Sequence, residues 1–231
     1  MKRLLTFLPF ALLLGTAAIS AAAQTQIDPY HVTGNTVDLE TYAKLFGGAT
    51  FDGRLRNLQF TGPSAGISAS PLALKSSLLY GIKLGVFPWR WVGMEVEAFH
   101  STPHTKQQTA IIRQAGTSIS GTVAGIDQRV TVLAFNAIVR YPGRILQPYI
   151  GIGPALFFAR VKDSTGSDSD TTVGFNAQAG LNVRLGQRFG VFGEYKYDWA
   201  QFTYGSGNSV QLGLKGVYSN NALVAGVSWY F

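Results

Sequence analysis

From about residue 39 onward, apolar and polar positions alternate with a period of two, which is the pattern of strands carrying one greasy and one polar face. The most regular run places Val173, Phe175, Ala177, Ala179, Leu181 and Val183 against Gly174, Asn176, Gln178, Gly180, Asn182 and Arg184. Seven further runs share the period. Leu39 to Phe51 sets Ala43, Leu45, Gly47 and Ala49 against Lys44, Phe46, Gly48 and Thr50. Ser77 to Phe87 sets Tyr80, Ile82, Leu84 and Val86 against Gly81, Lys83 and Gly85, and after it Val92, Met94, Val96 and Ala98 oppose Gly93, Glu95, Glu97 and Phe99. In Arg129 to Tyr141 the apolar set is Leu133, Phe135, Ala137, Val139 and Tyr141, with Asn136 and Arg140 opposite. Tyr149 to Arg160 carries Ile150, Ile152, Leu156 and Phe158 on one face, and Pro154 there predicts a bulge or kink because it lacks a ladder donor. Phe189 to Phe202 opposes Val191, Tyr195, Tyr197 and Trp199 to Glu194, Lys196 and Asp198, and Leu223 to Phe231 closes the chain on an aromatic.

The connections alternate in length. Three short corners hold Arg90, Arg144 and Arg188, whereas residues 52–75, 100–128, 162–170 and 204–220 read as long connections, the second with a β-compatible inner part at 109–123 that extends the strands as a ribbon. Eight strands of this length suit a bilayer crossed at a steep tilt, for which about 9 to 11 residues suffice. Only 13% of residues are charged, about half the usual share in soluble domains. The expectation is therefore an all-β, eight-stranded antiparallel up-and-down transmembrane β-barrel, with short periplasmic turns and long external loops.

Periodicity does not say which face points outward. A soluble barrel places Phe175, Leu181 and Val183 inside and Asn176, Gln178 and Arg184 in water. Three features favour the inverse: the polar set is Gly-rich, as a narrow lumen requires; Tyr141, Tyr197 and Trp229 fall near strand ends, as interfacial belts do; and the last residue is Phe231. With that orientation Lys44, Lys83, Arg140, Arg184 and Lys196 face inward with Glu95, Glu97, Glu194 and Asp198, together with Asn136, Asn176, Gln178 and Asn182. Five cations and four anions in a narrow interior predict a packed structural network, because any one left alone there carries a large desolvation cost.

The N-terminus has the form of an export signal: Lys2 and Arg3, an apolar run from Leu4 to Leu14, and Ala21-Ala22-Ala23 as the cleavage region. The expected organisation is a signal peptide at 1–23, a periplasmic lead-in at 24–38 and the barrel at 39–231. Removing Lys2 and Arg3 lowers the net charge from +7 to +5, too diffuse for nucleic-acid binding. There is no cysteine, so thiol chemistry, disulfides and cysteine metal clusters are excluded.

Export signal, alternating strands, the Pro148-Tyr149-Ile150-Gly151-Ile152-Gly153 strand start and the terminal Phe231 together resemble the small outer-membrane β-barrel superfamily that includes the outer-membrane-protein-A and X types, without a periplasmic domain. The resemblance implies an outer-membrane location, contact with outer-membrane lipid, and recognition of the closing strand, through Gly226, Val227, Trp229 and Phe231, by the barrel-insertion machinery. It implies no cofactor.

Catalytic constellations are sparse. His100 and Ser101 are adjacent, so on a strand they face opposite sides, and Glu97 shares the face of Ser101; the lipid A deacylases of this architecture carry His and Ser separated by one residue, from which this chain departs. His100 and His104 have metal-ligand spacing only on a helix, so no metal site is expected. Arg54, Arg56, Lys75, Lys106 and Arg113 are placed to meet lipopolysaccharide phosphates, or to be solvated loop charges. The expected role is a monomeric, non-enzymatic barrel acting structurally or through its external loops. Alternatives are a narrow porin-like channel for small solutes, a lipid-modifying barrel enzyme and a secreted soluble ligand-binding barrel.

Overall fold

The computed structural model describes residues 39–61, 68–103, 108–114, 117–123, 127–163, 166–204 and 213–231. The expected signal peptide and lead-in, together with His104, Lys106 and the side chain of Arg113, lie outside the described residues. In chain order the described strands are β1 (Glu40–Thr61), β2 (Ser68–Ala69), β3 (Leu72–Ala73), β4 (Leu78–Phe87), β5 (Val92–Ser101), β6 (Gln108–Gln114), β7 (Thr117–Val123), β8 (Asp127–Arg140), β9 (Leu146–Asp163), β10 (Gly166–Arg184), β11 (Phe189–Tyr204) and β12 (Gly213–Tyr230).

Eight of these close a barrel in the order β1, β4, β5, β8, β9, β10, β11, β12 and back to β1, every neighbouring pair antiparallel. Backbone partners lead from Thr41 through Val86, Met94, Ala137, Ile152, Ala177, Tyr197 and Asn221 back to β1 at Phe51, ten residues beyond the start. Eight strands with a stagger of ten set a tilt of about 43° and a radius of about 8 Å, which leaves room for side chains and little else.

Alternation sorts the faces as the inverted arrangement requires. Leu45, Ile82, Leu84, Ile150, Ile152 and Val227 are each half or more exposed on the outside, whereas Lys83, Glu97, Asn176 and Lys196 are 0% exposed inside. Lysine and glutamate are almost never fully buried unless paired, and an apolar band running round a whole barrel far exceeds the patches that soluble proteins tolerate. Aromatic contacts gather near the short-turn end of the outer surface: Trp91 meets Tyr141 edge-on at 5.7 Å, and Phe189 lies 4.6 Å from Trp229.

All four of the expected long connections are partly strand. β1 runs on to Thr61 and β12 begins at Gly213, so the two pair well beyond the expected ends at Phe51 and Leu223. Their register shifts twice, between Phe51 and Arg54 and between Arg56 and Gln59, beside Asp52 (φ 47°) and Asn57 (φ 52°). Asp and Asn tolerate the left-handed region, and each irregularity resets the alternation, which makes a bulged strand look like a loop in sequence. β9 likewise runs to Asp163 and β10 begins at Gly166, the two paired up to those residues. β6 and β7 do pair as a ribbon, but it attaches through β2 to β1 instead of lengthening β5 and β8.

Pro154 makes no bulge. Ala134 pairs with Ala155 and Ala137 with Ile152, so the β8–β9 register is the same on both sides of a two-residue gap in the ladder. The proline lies on the outer, exposed face, where it removes one donor without displacing the strand.

Candidate functional site

The inward positions change character along the barrel. From the short-turn end of β11 they read Phe192, Glu194, Lys196, Asp198, Ala200 and Phe202; from the same end of β9 they read Gln147, Tyr149, Gly151, Gly153, Ala155, Phe157 and Ala159. The half of the lumen nearest the short turns is charged, and the half nearest the long connections is apolar.

Lys83 stands at the centre of the charged half. Its Nζ donates to Glu194 Oε1 and Oε2 at 2.7 and 2.8 Å, to Gln178 Oε1 at 2.8 Å and to Glu95 Oε1 at 3.2 Å, and lies 3.6 Å from Glu97 Oε2. Lys196 binds both oxygens of Glu97 and lies 3.8 Å from Glu194. Lys44 reaches Glu95 Oε2 at 3.4 Å and lies over the rings of Tyr149 and Tyr42, at 4.5 and 4.6 Å. The hydroxyls of Tyr42 and Tyr149 donate to Glu95 and Glu194, each at 2.7 Å, and Gln178 Nε2 donates to Glu95 at 2.7 Å. These groups come from six strands, so the network ties β1, β4, β5, β9, β10 and β11 together across the axis.

Glycines make room for it. A Cβ at Gly85 lies 2.1 Å from the Tyr42 ring, and one at Gly180 lies 2.7 Å from that of Tyr149, so each tyrosine lies across a bare stretch of the wall. A second charged group closes the short-turn mouth, where Glu40 bridges Arg140 and Arg184. Arg140 stacks on Phe87 and Arg184 on Tyr230, each at 3.6 Å. Gln147 accepts from Asn182 at 3.2 Å and from Arg184 at 3.4 Å, and Ser228 donates to Asn182 at 2.7 Å. Between the two groups lies a cavity of about 10 Å³, room for about one water, lined by residues that include Tyr42, Lys44, Arg140, Gln147 and Tyr149.

Toward the other end the lumen is packed with Leu79, Phe99, Val130, Val132, Phe157, Phe202 and Tyr218. The Phe157, Phe202 and Tyr218 rings meet edge-on at 5.7 to 6.3 Å. At the boundary Asn176 donates to Asp198 at 2.7 Å, whereas among the described residues both side-chain amide atoms of Asn136 and the Nδ2 of Asn220 are buried without a hydrogen-bond partner.

Every residue expected in the lumen network is therefore inside the barrel, and each of Lys44, Lys83, Glu95, Glu97, Gln178, Arg140, Asn176, Asn182, Arg184, Glu194, Lys196 and Asp198 has a polar contact there; Asn136 is placed there without one. Sequence reasoning missed Glu40, which raises the inward anions from four to five and balances the five cations. Its signal was available: Glu40, Tyr42 and Lys44 share one face. Tyr149 was missed although it falls on the face opposite Ile150 and Ile152, and Gln147 because it precedes the expected strand start at Tyr149, whereas the strand begins at Leu146.

His100 and Ser101 do face opposite ways. Ser101 is buried inside, while His100 Nδ1 lies 2.9 Å from Thr131 Oγ1 on the outer wall. Arg54 is held by Asp52 at 2.8 Å and Arg56 is exposed. In the closing strand Val227, Trp229 and Phe231 are about half exposed, and Gly226 faces in, where a Cβ lies 2.0 Å from the Leu45 carbonyl oxygen of β1.

The geometry is that of a barrel with a side-chain-filled interior and an apolar exterior, and the comparisons agree on the fold. OprG of Pseudomonas aeruginosa superposes with a TM-score of 0.53 at 14% identity, covering 87% of this chain and 99% of that one. Neisserial surface protein A gives 0.51 at 16% identity, with 84% and 97% covered. At such identity the likeness is one of fold. No curated protein sequence matches the chain. The model of the family described as the outer membrane protein beta-barrel domain matches residues 10–231, and the chain, an eight-stranded antiparallel barrel, belongs to that family.

Proposed function

We propose that the protein is an integral outer-membrane barrel that conducts no solutes and serves envelope structure or surface interaction by carrying the strands and connections at its long-loop end. The observation that carries this reading is the sealed lumen: an ion-paired half beneath an apolar half, with a cavity of about 10 Å³ between the lower charged tiers. Solute passage requires breaking several buried ion pairs and parting the Phe157, Phe202 and Tyr218 rings, which few small molecules repay with contacts of their own. In this reading the short turns are periplasmic and the long-loop end external. The closing-strand residues Gly226, Val227, Trp229 and Phe231 serve as the insertion signal, and Arg54 and Arg56 meet lipopolysaccharide. No residue is assigned a catalytic role.

Single-channel recording in planar bilayers tests the central statement. The expected result is no resolved conductance from folded protein that fractionates with the outer membrane; discrete, reproducible conductance steps would replace this reading with the narrow-channel one. Lipid A mass profiles that change with expression would replace it with an enzymatic one.

A further inference from the structure

We propose that Arg129 on β8 and Arg160 on β9 form a clamp on the outer wall of the barrel for the phosphate of an acylated sugar phosphate in the external leaflet. The inference rests on the reading of the chain as an outer-membrane barrel with its long-loop end outside. The two arginines are direct backbone partners, and both side chains are exposed. They continue the outward-facing sets Thr131, Leu133, Phe135 and Leu156, Phe158, so both guanidinium groups start from the same face with Cβ atoms about 5 Å apart. Like charges directly opposite one another destabilise a sheet unless an anion lies between them.

Among the residues whose side chains are described, neither guanidinium has an ion-pair or hydrogen-bond partner. Arg54, by comparison, pairs with Asp52, and all five lumenal cations lie against carboxylates. Two arginines facing each other across a strand pair suit phosphate, because the planar guanidinium fork engages two oxygens at once and two forks bracket one tetrahedral group.

Height along the barrel identifies the source of the phosphate as a lipid. From Tyr141 to Thr131 the outward face of β8 spans ten residues, an axial rise of about 24 Å at a tilt of about 43°, which matches the roughly 25 Å apolar band of outer-membrane barrels. Arg129 is the next outward position, about 5 Å above that band. Directly below the pair lie Thr131 with Phe158 and then Leu133 with Leu156. Acyl chains resting on that ladder bring an attached phosphate to the height of the guanidinium groups, whereas free phosphate gains nothing from it. This wall is opposite the β1 strand that carries Arg54 and Arg56.

The test uses full-length mature barrel reconstituted in phosphatidylcholine nanodiscs, with bisphosphorylated lipid A as the probe and retention through size exclusion as the readout. Wild type is expected to retain the lipid about tenfold better than R129Q/R160Q, with R129K/R160K intermediate. Wild type is also expected to lose the same advantage when the probe is dephosphorylated, an arm that needs no variant and so stands even if a substitution impairs folding. Millimolar inorganic phosphate should leave retention unchanged. Equal retention by wild type and R129Q/R160Q, undiminished retention of the dephosphorylated probe, or displacement by inorganic phosphate would each overturn the clamp. Heat-modifiable migration and outer-membrane fractionation of the same preparations report on the barrel reading separately.

Discussion

Replacing Lys83 with methionine probes the charged half of the lumen at its centre. Lys83 is fully buried and touches three carboxylates: Glu194 at 2.7 Å, Glu95 at 3.2 Å and Glu97 at 3.6 Å. Methionine fills similar volume but leaves Glu95, Glu97 and Glu194 facing only Lys44 and Lys196, an excess of one buried negative charge. Breaking a buried pair from one side costs about 3–5 kcal/mol, most of it the penalty on the abandoned charge. Urea titration of the barrel in lipid vesicles, followed by tryptophan emission, is the assay, and K83M is expected to lose that amount of stability. Adding E194Q restores the balance of charge, so K83M/E194Q should recover at least about 1–2 kcal/mol despite having lost a second native group. A K83M barrel within about 1 kcal/mol of wild type, or a double variant weaker than K83M, would refute the account of the network as a charge-balanced unit.

Other outcomes follow from the same geometry. Gly85→Ala drives a methyl into the Tyr42 ring and disturbs its bond to Glu95, so a loss of about 1–3 kcal/mol is expected in the same urea assay. Ile152→Arg puts a charge on the lipid face and should cost about 2–4 kcal/mol in bilayers, whereas a water-facing site would register almost nothing. Phe231→Ala should lower the yield of assembled barrel in cells while leaving spontaneous folding into vesicles intact; an unchanged cellular yield would remove the insertion-signal assignment. Glu40→Gln leaves Arg140 and Arg184 facing each other at the short-turn mouth and should destabilise the barrel by about 2–4 kcal/mol.

The eight strands, their order and the inward set were readable because a barrel wall is two-sided: every second residue meets a different medium, and the period survives wherever the ladder is regular. It fails where the ladder is irregular. Asp52 and Asn57 adopt positive φ beside the β1–β12 register shifts, and past them the alternation no longer continues the phase set at Lys44, which hid the strand from Gly53 to Thr61. The apolar half of the lumen was hidden for a different reason. Val130, Val132 and Phe157 share parity with Asn136 and Gly153, but an inward apolar residue in an otherwise polar-lined barrel looks like noise until closure brings Phe157, Phe202 and Tyr218 together. Pairing across the axis was also beyond the sequence. Charge balance forecast that Lys83 would find partners, but only the stagger of ten puts Glu95, Gln178 and Glu194 within its reach.

Site-directed spin labelling tests the inside-out arrangement most directly, and the absence of native cysteine makes single-cysteine variants unambiguous. Labels at Leu45, Ile152, Leu181 and Val227 in lipid vesicles should collide with dissolved oxygen far more than with a water-soluble nickel chelate. Labels at Ala134 and Ala222 should be shielded from both. Labels at Ile152 and Leu181 that are shielded from lipid, or that meet the aqueous chelate, would contradict the account.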